Sequence, residues 1–65
     1  MNRIRELRMA RGLTQEDLAR LMGLPVLTIG RWERGQTIPH PHNLKVLAKK
    51  LGVQVNELGI IRETR

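Results

Sequence analysis

The sequence predicts an all-α fold, a compact bundle of five short helices. Three observations carry that reading. Apolar residues recur at three- and four-residue spacings along most of the 65 residues. Each of the first four such stretches runs into a glycine (Gly12, Gly23, Gly35, Gly52), the residue that accepts the left-handed conformation a helix end needs. Two of the stretches, on either side of Gly23, are joined by a turn short enough to make a helix-turn-helix, spanning about 14–35.

The first helix is expected over 2–11. Ile4, Leu7 and Met9 point inward there, Arg3, Arg5, Glu6 and Arg11 are solvated, and Arg8 lies close to the apolar side. Leu13 drops into the core. Thr14 caps the second helix: its hydroxyl can accept from a first-turn N–H, and Glu16 and Asp17 suit the positive end of the helix dipole. Gln15 lies in that first turn, beside free backbone N–H groups. Leu18, Ala19 and Met22 form the buried side.

Leu24 packs inward after the turn. Pro25 fits the first turn of the third helix, where its missing N–H is no loss. That helix runs over about 25–34 with Ile29 and Trp32 buried. Val26, Leu27, Gly30, Arg31 and Arg34 then lie largely on the opposite side. Gly30 weakens the helix by roughly 1 kcal/mol relative to Ala. In the loop 36–40, Ile38 points inward and Pro39 stiffens the chain. His40 caps the fourth helix, which Pro41 opens. Leu44, Leu47, Ala48 and Leu51 are its buried stripe, and Lys45, Lys49 and Lys50 lie outside. Val53 plugs the core, and a fifth helix covers about 55–58. Ile60 and Ile61 are apolar residues in a tail, 60–65, with nothing obvious left to cover. Glu6, Glu16, Asp17, Glu57 and Glu63 read as caps or solvated charges.

The length fits one domain, 1–65, near the lower limit for a self-sufficient core. Cysteine, Phe and Tyr are absent and Trp32 is the single aromatic residue, so stability rests on aliphatic helix packing. Twelve Lys and Arg face six Asp and Glu, a net charge of +6, which points to a polyanionic partner. Nine of the twelve cations are Arg, the better fork for phosphate or guanine. The longest apolar run, 21–27, contains Gly and Pro and falls far short of the roughly 20 residues of a membrane span. No cleavable leader is evident, so a cytoplasmic protein is expected, with no membrane partner. His40 and His42 lack the further Cys or His ligands a metal site requires. No nucleophile–base pair, nucleotide-binding loop or zinc spacing is present, so no catalytic residue, cofactor or small-molecule ligand is expected.

The stretches IRELRMARGLTQEDLARLMG, TIGRWERGQTIP and NLKVLAKKLGVQVNEL, covering about 4–58, resemble the Cro/C1-type (XRE-like) helix-turn-helix family of bacterial and phage repressors. The resemblance implies a lambda-repressor-like bundle of five helices in which the second and third read DNA. It implies that Gln15 bonds a DNA phosphate. Val26, Leu27, Thr28 and Arg31 match positions facing bases and flanking phosphates. Arg8 and Glu33 match a structural ion pair, and Gln36, Thr37 and the opening of the fourth helix match a phosphate-contacting edge. The third helix departs from the family pattern, opening on Pro25-Val26-Leu27 where polar residues are usual, so the family's polar base contacts do not carry over.

The expected function is therefore sequence-specific binding of double-stranded DNA by a transcriptional regulator, most simply a repressor acting by occupancy and associated with the nucleoid when bound. Val26 and Leu27 would meet thymine methyl groups and Arg31 would fork onto guanine. Gln15, Thr28, Arg34, Gln36, Thr37, His42 and Asn43 would contact the backbone. Gly30 would let the helix approach closely. A homodimer on paired half-sites would draw on Ile60, Ile61 and the fifth helix. The same residues suit an excised or engineered DNA-binding module. The alternative class is a protein-interaction module, antitoxin-like or a regulatory partner, that uses the exposed Val26 and Leu27.

Overall fold

The computed structural model describes residues 2–60. Four α-helices lie there: α1 Ile4–Ala10, α2 Gln15–Met22, α3 Val26–Glu33 and α4 Pro41–Leu51. The fifth element, Val55–Leu58, is a single 3-10 turn and not an α-helix. Its four residues are confined between a Gln54–Glu57 capping box and the left-handed Gly59. That leaves room for the i→i+3 bond from Glu57 N–H to the Gln54 carbonyl at 2.9 Å, but not for a propagating α ladder.

All four α-helices close in the same way. An N–H two or three residues past the helix end reaches back five residues: Leu13 to the Arg8 carbonyl, Leu24 to Ala19, Gln36 to Arg31 and Val53 to Ala48, at 2.9–3.1 Å. This is the Schellman closure. At Gly23 it requires φ +69°, with no side-chain obstruction in the way. Leu13, Leu24 and Val53 turn their side chains onto the core as the motif favours. α3 is the exception, since it places the polar, exposed Gln36 there.

The core gathers Ile4, Leu18, Ile29, Leu47, Leu51 and Leu58 around Trp32. Several expectations shift at its margin. Met9 is 59% exposed and Ile38 48%. Pro39 is buried in place of Ile38. Residues 38–40 are irregular, and neighbouring side chains on extended chain point to opposite sides, so burying Pro39 turns Ile38 and His40 outward. Pro25 is the residue before α3 rather than part of its first turn. α3 gives way at Arg34, which caps it. Ile60 is half-buried against the core. Ile61 and Glu63 lie outside the described residues.

α1 is shorter than 2–11 because Asn2 stands outside it as a tie. Its Oδ1 accepts from the Ile4 N–H at 3.0 Å, and its Nδ2 donates to the Trp32 carbonyl at 2.8 Å. One residue thus starts α1 and satisfies the end of α3. Arg3 N–H donates to the Leu58 carbonyl at 2.8 Å, which fastens the 3-10 turn to the same corner.

α2 starts on a reciprocal capping box. Thr14 Oγ1 accepts from Asp17 N–H at 3.0 Å, and Asp17 Oδ2 accepts from Thr14 N–H at 2.9 Å. Arg20 Nη2 donates to Asp17 Oδ1 at 2.7 Å. The Thr14 N–H is the main reason the Asp17 carboxyl is held below its ordinary 3.8, followed by Arg20 and the Thr14 hydroxyl. A carboxyl lowered by folding adds stability above its unfolded value, and that stability disappears as pH falls through the native value. The melting temperature of the wild type should therefore exceed that of D17N from neutral pH down to about pH 4, and the gap should close on further acidification. A gap that is constant across that range would contradict this.

Candidate nucleic-acid interface

α3 has one buried face and one open face. Ile29 and Trp32 anchor the buried face, 0% and 4% exposed. Val26, Leu27 and Arg31 stand on the open face, with Val26 and Leu27 at 42% and 55% exposure. The Arg31 side chain makes no hydrogen bond or ion pair among the described residues. Thr28 is half-buried beside them. Eight apolar or neutral residues in the span 23–30 exceed what one core can absorb, and the surplus emerges as Val26 and Leu27.

Gly30 differs from expectation. It is buried, not open, because the Arg34 side chain folds back across it. A Cβ on Gly30 would come within 3.0 Å of Arg34 Nη1. Arg34 Nε also donates to Gln36 Oε1 at 3.2 Å. The missing side chain at position 30 therefore makes room for a guanidinium of the same helix.

Below this face Arg8 ties α1 to the end of α3 and to the loop ahead of α2. Its Nε donates to Glu33 Oε2 at 2.6 Å, and its Nη2 to Glu33 Oε1 at 3.2 Å. Its Nη1 donates to the Leu13 carbonyl at 2.6 Å. The two side chains are 9% and 3% exposed. Three elements converge on this guanidinium: α1, the loop ahead of α2, and the end of α3. Gln15 joins them, since its Nε2 donates to Glu33 Oε1 at 3.1 Å. That bond was not anticipated, and neither was the Asn2 tie. An Asn two residues before a helix signals the bond to the Ile4 N–H, though not the reach to Trp32.

The remaining candidates lie along the loop and the start of α4. Gln36, Thr37 and His42 are exposed and Asn43 is half-buried. His40 occupies the position before α4, yet its side chain makes no capping bond. Lys45 is exposed one turn further on. The candidates thus comprise an apolar and cationic face on α3, Gln15 at the start of α2, and the segment 36–45. Among the described residues, no group of three His, Cys, Asp or Glu is placed to hold a metal ion. No helix there is long and apolar enough to cross a membrane.

A bundle that buries one face of α3 and opens the other, with α2 packed across it, defines a helix-turn-helix protein. The helix-turn-helix family model matches residues 4–58, and the chain belongs to that family of DNA-binding transcriptional regulators. It is 36% identical over 57 residues to the uncharacterized HTH-type transcriptional regulator YazB of Bacillus subtilis, covering 88% of this chain and 83% of that protein. It is 34% identical over 56 residues to the HTH-type transcriptional activator BcrR of Enterococcus faecalis, covering 86% of this chain. The match spans only 28% of BcrR. Among solved structures, the restriction-modification controller protein C.AhdI from Aeromonas hydrophila superposes with a TM-score of 0.80 at 46% identity, covering 86% of this chain and 85% of that one.

Proposed function

We propose that this regulator reads duplex DNA with α3 lodged in the major groove. The one-sided exposure of α3 carries the reading: Val26, Leu27 and Arg31 face out while Ile29 and Trp32 are buried behind them. The first two suit thymine methyl groups, and Arg31 suits the O6 and N7 acceptors of guanine. Gln15 and Thr28 on one side, and Arg34, Gln36, Thr37, His42 and Asn43 on the other, would set the register on the phosphates. Two copies on half-sites one helical turn apart would form the functional unit. Exposed Val55 supplies apolar surface for that pairing. Occupancy of the operator then controls transcription, as repression where the operator overlaps the promoter.

A salt titration of binding to a labelled duplex tests this. The cations near the face are Arg31, Arg34 and Lys45, so each protomer should neutralise two or three phosphates. The log–log slope should then be about −1.8 to −2.7 per protomer, and a fourfold rise in salt should weaken binding roughly 12- to 40-fold. Exposed Val26 and Leu27 also favour a second reading, a contact patch for a partner protein. Salt-insensitive capture of a protein, with no duplex bound even at low salt, would establish that reading in place of the first.

A further inference from the structure

Gln15 opens α2 and Glu33 closes α3, and a single hydrogen bond joins them across the helix-turn-helix. Its polarity is dictated by chemistry. An ionised carboxylate only accepts, so the Gln15 amide must turn its nitrogen toward Glu33. The amide is planar, so committing one N–H also commits the second N–H and Oε1. Neither of these has a partner among the described residues, and Gln15 is only half-buried. The bond is thus a latch on a side chain with one end at the surface.

Arg8 makes the latch compatible with a polyanion. Glu33 Oε1 accepts from both Arg8 Nη2 and Gln15 Nε2, and Oε2 accepts from Arg8 Nε. The carboxylate charge beneath Gln15 is therefore matched by a guanidinium of nearly equal burial. A phosphate approaching Gln15 meets an amide N–H, backed by a neutralised pair and not a bare anion.

We propose that Glu33 is a positioning residue for DNA binding, holding the Gln15 amide in the one orientation that offers its free N–H to a backbone phosphate. This rests on the functional reading above, in which Gln15 borders the DNA. An unlatched glutamine would sample both amide flips and several rotamers, and binding would bear that ordering cost. Here the folded protein has already met it.

A double-mutant cycle tests the latch. The full chain, Q15M, E33Q and the double variant are titrated against one random-sequence duplex, at a temperature where circular dichroism shows each folded. E33Q keeps the shape but lets position 33 donate to Gln15 Oε1, which permits the wrong flip. Q15M and E33Q should each weaken binding about five- to tenfold, the effect of one hydrogen bond. In the Q15M background, E33Q should cost less than twofold more. An E33Q effect of equal size in both backgrounds would show a merely structural role and overturn the inference.

If E33Q does not fold, the wild-type chain decides by nuclear magnetic resonance. A latched Gln15 gives one side-chain amide proton shifted and protected from exchange, and its sister proton moves when duplex is added. Two solvent-like protons overturn the inference. A wild-type chain that binds no duplex overturns the functional reading as well, whereas duplex binding with an additive cycle overturns the latch alone.

Discussion

Replacing Glu33 with alanine is expected to destabilise the fold by about 3–5 kcal/mol. A chain of this length has only roughly 3–10 kcal/mol in hand, so the variant should lose between about a third and all of its stability. The size of the effect comes from what is left behind. Arg8 would keep its guanidinium in a site where its side chain is 9% exposed, with the Leu13 carbonyl as its one remaining partner. An unpaired buried charge costs far more than the pair itself contributes. Arg8→Met should be milder in charge terms, yet it strips Glu33 of two donors and frees the loop ahead of α2. The joint replacement R8M/E33L should recover most of the loss, because a packed apolar pair often matches a buried ion pair. Urea unfolding followed by far-ultraviolet circular dichroism reads all three. A joint variant no more stable than E33A would refute this account of the pair.

Arg31→Ala should have the second largest effect, and on binding rather than stability. The Arg31 side chain is exposed and makes no bond among the described residues, so its removal should leave the melting temperature nearly unchanged. If it forks onto guanine, duplexes selected from a randomised pool lose preference at one or two base pairs. Affinity for the selected site then falls by about 1–3 kcal/mol, or roughly 5- to 150-fold. Selection on wild type and variant in parallel makes the comparison. Uniform weakening across sequences, with a salt slope shallower by about one, would assign Arg31 to a phosphate.

The elements of this fold were legible because they are encoded locally. The Gly-Leu and Gly-Val pairs at 12–13, 23–24 and 52–53 state both where a helix stops and which next residue turns inward. The Thr14 cap and the Pro41 start are likewise written in adjacent residues. What the sequence did not disclose is long-range or a matter of degree. Nothing near Asn2 in the chain indicates that its amide reaches Trp32, thirty residues on. The sequence predicts a fifth helix at 55–58, and its confinement by Gln54 and Gly59 makes it a 3-10 turn. Hydrophobicity points Ile38 inward, whereas Pro39 takes the site. In the interface, the outward face of α3 followed from periodicity. The Gln15 latch did not, because a side chain at the start of one helix and a carboxylate at the end of the next share no sequence signature. Gly30 misled for a related reason: the space it leaves is filled by Arg34 from one turn away.

The single indole has a practical consequence. Trp32 is buried directly behind the open face of α3, and the chain carries no tyrosine or phenylalanine to add background. Ultraviolet emission from this molecule therefore comes from one fluorophore at one depth. Any event that loosens, tilts or compresses the helix above it will alter that signal without a label being attached.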